Sequence, residues 1–220
     1  MPPMPRLILV RHGETEWSLN GRHTGRTDIP LTARGEEQIK LKAQDLVGAG
    51  KLIDTANLEV VLCSPRQRAH KTFHLLTEHL SETPAHIFLE DVAEWDYGDY
   101  EGLLSHEIKA KAPQGNKWNI WVDGCPGGES AQDMTLRVDH VISMVRERHT
   151  QWKLHGKCSR DVVIVAHGHF NRCMIARWLG LPLIEGTKFN YAPGAIAVLG
   201  YNHDNLAEPA LTALNLNAEL

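Results

Sequence analysis

Two apolar runs in this chain stop in the same way. Leu7-Ile8-Leu9-Val10 leads into Arg11-His12-Gly13, and Val163-Ile164-Val165-Ala166 leads into His167-Gly168. A short run without polar interruption, rich in β-branched residues, reads as a parallel strand buried on both faces. In an open α/β sheet, ligands bind beyond the carboxyl ends of such strands. Two adjacent strands of this kind would bring His12 and His167 together at that edge. The glycine after each histidine lets the backbone turn sharply and another group approach closely.

Strand candidates at 6–10, 58–63, 86–89, 161–166 and 195–200 alternate with amphipathic segments at 32–48, 66–80, 103–112, 129–153 and 170–179. The expected fold class is α/β, a three-layer α/β/α arrangement around a mostly parallel central sheet. In the segment 129–153, Met134, Val138, Val141, Ile142 and Val145 recur at helical spacing. Thr32 stands as an N-cap before Ala33-Arg34-Gly35-Glu36. The glycine- and proline-rich stretch 113–128, which carries Trp118 and Trp121, reads as a loop. No repeat or linker divides the 220 residues. One domain over 1–220 is expected, with 91–128 as an inserted roof over the site.

The formal charge of −4 argues against a nucleic-acid partner bound by an overall positive field. No apolar stretch approaches membrane-spanning length. The prolines of Met1-Pro2-Pro3-Met4-Pro5 do not suit a signal peptide, and Ala218-Glu219-Leu220 matches no lipidation or peroxisomal signal. The expected location is the cytoplasm, with no membrane partner. Cys63, Cys125, Cys158 and Cys173 form no C-x-x-C pair and are expected as reduced, mostly buried thiols. An oligomer is compatible with all of this.

Four constellations carry chemistry. Beyond Arg11-His12-Gly13, the polar loop through Glu14-Thr15-Glu16-Trp17-Ser18 and Gly21-Arg22-His23-Thr24-Gly25 offers hydroxyl and backbone N–H groups to an anion. Cys63-Ser64-Pro65-Arg66-Gln67-Arg68 sets two arginines at a helix start, where positive charge opposes the helix dipole unless an anion is bound there. Of the two, Arg68 is the stronger candidate. Ala166-His167-Gly168-His169 repeats the first design. Residues 90–102 hold six carboxylates among aromatics. One of these, partly desolvated by Trp95, would serve as general acid and then as base. His167 and His169 form an H-x-H pair, but Arg172 follows closely, which disfavours a cation. No metal and no cofactor are expected.

Together, Arg11-His12-Gly13-Glu14-Thr15-Glu16-Trp17, Ser64-x-x-x-Arg68-Ala69, Glu94 before Tyr97-Gly98-x-x-Glu101-Gly102, and Ala166-His167-Gly168 resemble the histidine phosphatase superfamily, the phosphoglycerate-mutase-like fold. The resemblance implies that His12 is the nucleophile, becoming phosphohistidine. It implies that Arg11, Arg68 and His167 surround the phosphoryl group, and that Glu94 protonates the leaving group and then activates water. Ser18, Thr24 and Gly25 would line the substrate side. His23, Ser64, Tyr97, Gly168 and His169 are further expected substrate contacts.

The segment 117–123 lacks the Arg-Arg pair that mutases of this family use to hold a carboxylate. A narrower resemblance to fungal sedoheptulose-1,7-bisphosphatases runs through Glu94-Trp95-x-Tyr97-Gly98-Asp99-Tyr100-Glu101-Gly102, Trp118-Asn119-Ile120-Trp121 and Tyr201-Asn202-His203. His23 stands where those enzymes have tyrosine, and the segment after Leu181 is shorter. The expected activity is metal-independent hydrolysis of a sugar (bis)phosphate, a small-molecule partner. The alternatives are a phosphoglycerate mutase or dual mutase/phosphatase, and a non-catalytic protein that binds a phosphorylated ligand.

Overall fold

In a computed structural model, which describes residues 3–156 and 159–216, the apolar runs form one sheet with helices on both faces. Cys158, Met1-Pro2 and Ala218-Glu219-Leu220 lie outside the described residues. The chain order is β1 (Leu7–Arg11), α1 (Glu16–Asn20), α2 (Ala33–Leu46), β2 (Leu58–Cys63), α3 (Gln67–Thr77), β3 (His86–Phe88), α4 (Ser105–Lys111) and α5 (Ile120–Asp123). It continues with α6 (Ala131–His155), β4 (Asp161–Ala166), α7 (Gly168–Trp178), β5 (Ile196–Tyr201) and β6 (Pro209–Leu216). The strands lie in the order β3-β2-β4-β1-β5-β6.

Strands β1, β2, β3 and β4 pair in parallel, β1 to β4 in a register that sets Arg11 opposite Ala166. This register places the residues after each strand, His12 and His167, side by side. Alternation along the strands feeds two cores. Leu7, Leu9, Leu62, Val162 and Ile164 face α6 and α7 together with Trp95, Tyr97, Trp118 and Trp121 of the 91–128 segment. Ile8, Val10, Val61, Val163 and Val165 face α2 and α3. With both faces covered, the strands need no polar side and read as unbroken apolar runs.

Thr32 caps α2 as expected, accepting from Gly35 N at 2.9 Å. The stripe Met134, Val138, Val141, Ile142 and Val145 is buried on α6. Several boundaries differ from expectation. Strand β5 runs antiparallel to β1, and the missed β6 runs antiparallel to β5. Strand β6 begins at Pro209 and is half-exposed along most of its length, because it is an edge. Strand β3 is the other edge, and its three residues are exposed rather than interior. Helix α7 starts at Gly168, two residues early, so His169 lies in its first turn. The stretch read as a loop contains α5 and a 3-10 turn at Gly115–Lys117. Among the described residues, no helix is long and apolar enough to cross a membrane.

Candidate active site

His12 sits just past β1, its backbone N–H bonded to Ala166 O at 2.9 Å and its own carbonyl accepting from Gly194 N at 2.9 Å. Its Nδ1 lies 2.7 Å from Gly13 O. A carbonyl only accepts, so Nδ1 carries the proton and Nε2 keeps its lone pair. Burial, then Arg68 and Arg11, hold its pKa well below the ordinary histidine value. The imidazole is therefore neutral. A side chain on Gly13 would meet Ile39 Cγ1 at 3.0 Å and Gly35 O at 3.2 Å. The glycine thus admits α2 rather than a ligand.

The His167 ring centroid is 5.1 Å from that of His12. Its Nε2 is 2.7 Å from Ser64 Oγ, which in turn accepts from Arg66 N at 3.4 Å. Nδ1 of the same ring is buried and has no protein partner. Burial and the neighbouring Arg68 depress this pKa as well.

Two buried guanidinium groups complete the cage. Arg68 donates from Nη1 to Thr27 O and from Nη2 to Thr24 O and Gly25 O, each at 2.9 Å. Arg11 donates from Nη1 to Tyr191 O. The Nε of each arginine is buried without a partner. A Cβ on Gly168 would lie 3.2 Å from Arg11 Cζ, so the glycine that opens α7 makes room for this side chain. Arg66 is turned away into an ion pair with Glu90 at 3.0 Å.

Glu94 is nearly buried and accepts three backbone N–H groups. Trp95 N and Phe170 N bond Oε1 at 2.9 Å, and His169 N bonds Oε2 at 3.0 Å. Two of these amides belong to the first turn of α7, whose positive dipole end faces the carboxylate. Of the six acids in 90–102, Glu94 lines the cavity. Asp96 instead pairs with Arg26 at 2.8 Å, and Glu101 holds backbone amides of Gly25 and Thr27.

The cavity has a volume of about 470 Å³. Arg11, His12, Ser18, His23, Thr24, Glu94, Tyr97, Gly168 and His169 line it. Arg68, His167, Ser64 and Gly25 lie behind that lining, all four buried. Ser64 serves His167 rather than the cavity, and the Gly25 N–H is occupied by Glu101 at 2.9 Å. Ser18 closes a capping box with Thr15 at the start of α1, donating from Oγ to Thr15 O at 2.8 Å. Tyr97 Oη lies 2.7 Å from His169 Nδ1, and His23 stacks on His169 with centroids 6.1 Å apart. Burial lowers the pKa of both these histidines and raises that of Tyr97. The H-x-H pair therefore diverges, His167 to Ser64 and His169 to Tyr97.

The cavity lining also holds residues that sequence reasoning did not assign, chiefly Lys109, Asn190, Tyr191 and Arg172. Arg172 donates to Gly186 O at 3.0 Å and Thr187 O at 3.1 Å, and its guanidinium lies 4.8 Å from the centre of the Trp121 ring. Its spacing from Gly168 and His169 on one helix face was the available signal. The cations of the cavity lining near Trp118 and Trp121 thus come from α4 and α7, while Lys117 of the 117–123 segment is not among the lining residues.

This sheet, with two imidazoles and two guanidinium groups gathered at the carboxyl ends of its parallel strands, defines a phosphoglycerate-mutase-like α/β fold. The histidine phosphatase superfamily (branch 1) matches residues 7–215. The chain is 40% identical over 198 residues to an acid phosphatase of Mycobacterium tuberculosis, covering 90% of this chain and 87% of that protein. It is 35% identical over 253 residues to sedoheptulose 1,7-bisphosphatase of Saccharomyces cerevisiae, covering 96% and 93%. A solved structure of a Mycobacterium tuberculosis open reading frame product superposes with a TM-score of 0.79 at 38% identity, covering 96% of this chain and 97% of that one. The chain belongs to the histidine phosphatase superfamily, and it is a phosphatase acting on phosphorylated substrates.

Proposed function

We propose that this phosphatase hydrolyses a phosphorylated sugar, a bisphosphate such as sedoheptulose 1,7-bisphosphate, through phosphohistidine at His12, with no metal or cofactor. The observation that carries this reading is the cage itself. Beside the neutral His12 imidazole, Arg11 Nε, Arg68 Nε and His167 Nδ1 are buried without partners. Such donors stabilise charge on the equatorial oxygens of a phosphoryl group in transit. His12 Nε2 attacks phosphorus while the ester P–O bond breaks, and the protonated Glu94 gives its proton to the departing alkoxide. Water then returns a proton to Glu94, its oxygen attacks phosphorus, and the Nε2–P bond breaks. Oε2 of Glu94, with one amide donor against two on Oε1, is the oxygen free for this exchange.

Two further cations in the cavity lining, Arg172 and Lys109, support a second anionic group on the substrate. Among the described residues, Arg172 is held by two carbonyls and an aromatic face and forms no ion pair, and Lys109 belongs to the same lining. His23, His169 and Asn119 of the same lining offer hydrogen bonds to substrate hydroxyls. We assign this activity to one folded unit over 1–220, with 91–128 as its roof. Arg172 and Lys109 would equally hold a carboxylate, which favours phosphoglycerate mutase as the second reading.

Phosphate release from sedoheptulose 1,7-bisphosphate, fructose 1,6-bisphosphate, sugar monophosphates and 3-phosphoglycerate, with chelator present, tests both. Release from a bisphosphate at the highest kcat/KM supports the proposal. Conversion of 3-phosphoglycerate to its 2-isomer without release replaces it with the mutase reading.

A further inference from the structure

Glu101 takes no part in the steps above and does not line the cavity, yet both its oxygens are committed to the loop that holds Arg68. Oε1 accepts from Gly25 N at 2.9 Å and Thr27 N at 3.0 Å, and Oε2 accepts from Gly25 N at 3.0 Å. On its other side the same loop presents three carbonyls, Thr24 O, Gly25 O and Thr27 O, to the Arg68 guanidinium. One peptide unit takes part in both sets of bonds. The group joining Thr24 to Gly25 gives its N–H to Glu101 and receives Arg68 Nη2 on its C=O.

Hydrogen bonds chained in this way polarise one another. A carboxylate pulling on the N–H of a peptide strengthens the acceptor at its carbonyl end. Glu101, the 24/25 peptide and Arg68 thus form an anion–peptide–cation relay. A carboxylate in direct contact would offset the charge that a phosphoryl group needs. One peptide away, it fixes the fork of Arg68 and leaves Nε unpartnered. The loop has no slack for another arrangement: a Cβ on Gly25 would lie 2.6 Å from Trp95 O and 2.9 Å from Glu101 Oε2.

We infer that Glu101 is a positioning residue for phosphoryl transfer, acting through the 24–27 loop on Arg68. This rests on the assignment of Arg68 to the phosphoryl group made above. The test is a double-mutant cycle of Glu101→Gln with Arg68→Lys, which keeps the charge but loses the fork. Its readouts are kcat, KM, inhibition by orthovanadate and Tm, with the best phosphate-releasing substrate of the panel.

In the wild-type background, Glu101→Gln is expected to lower kcat by about 10- to 100-fold and weaken orthovanadate by a similar factor, with KM within about threefold. In the Arg68→Lys background the same change is expected to alter kcat by less than about twofold. Equal losses in both backgrounds would overturn the proposal, leaving Glu101 a merely structural side chain. Full activity in Arg68→Lys with no orthovanadate effect would refute the phosphoryl-cage reading itself, and this proposal with it. If the glutamine variant does not fold, the same cycle with Glu101→Asp, which keeps the charge but shortens the reach, applies the same criteria.

Discussion

At the scale of single residues, hydrogen bonds hold the two imidazoles in place. The Gly13 carbonyl settles which nitrogen of His12 is protonated, and Ser64 Oγ lies 2.7 Å from Nε2 of His167. Replacing His12 with alanine is expected to abolish turnover, by at least about 1,000-fold. The variant should unfold at an unchanged urea midpoint, since the ring bonds only to the neighbouring carbonyl. Residual turnover within tenfold of wild type would remove His12 as nucleophile. Glu94→Gln keeps an acceptor for the amides of α7 but no exchangeable acid. Rapid-quench experiments should find phosphoenzyme accumulating or both steps slowed by about 100-fold or more; an unchanged rate would move the proton to another group. Arg172→Gln is expected to raise KM for a bisphosphate about tenfold while leaving KM for the matching monophosphate within twofold. Equal effects on both would deny the second anionic contact.

At the scale of elements, packing rather than chemistry sets the limits. Gly98 has φ +50, and a methyl there would lie 2.2 Å from Pro126 O and 2.3 Å from Gly128 N, both backbone atoms. Gly98→Ala is expected to cost on the order of 2–4 kcal/mol in urea unfolding, because the 96–100 and 126–129 segments cannot both keep their places. Helix α6 meets β5 through His149, whose Nδ1 is 2.8 Å from Tyr201 Oη. Burial lowers the pKa of His149 to about 4. Below pH 6.5 the unfolded chain takes up a proton that the folded chain refuses. Stability therefore falls from pH 6.5 towards 4, by roughly 3 kcal/mol from this residue when the loss is complete. Unfolding at pH 7.5 and 4.5 should show a smaller difference in His149→Gln than in wild type.

The same scale explains what the sequence made legible. Strands β1 and β4 stood out because both faces are buried, and their shared ending fixed the pairing of His12 with His167. Strand β6 did not, because an edge strand with Ala210, Thr212 and Asn215 lacks an apolar run. Arg172 lay in plain view, yet its partners Gly186 and Thr187 belong to a short 3-10 helix, Leu183–Lys188, with no apolar periodicity to announce it. Ser64 was recognised without its role, because its partner is 103 residues away.

At the scale of the whole molecule, two cores share one sheet, and the 91–128 segment places Trp95, Trp118 and Trp121 in the larger of them. A single unit predicts coincident urea transitions by tryptophan fluorescence and far-ultraviolet circular dichroism. An earlier fluorescence transition would instead mark the roof as separately folding. The strand order also dictates when the protein becomes complete. Strand β4 separates β1 from β2, although it follows both in the chain. A growing polypeptide stopped before Asp161 thus owns His12 and Arg68 but has no strand to set between them, and no His167. The pairing that brings His12 beside His167 therefore forms only after β4 has been made, late in synthesis.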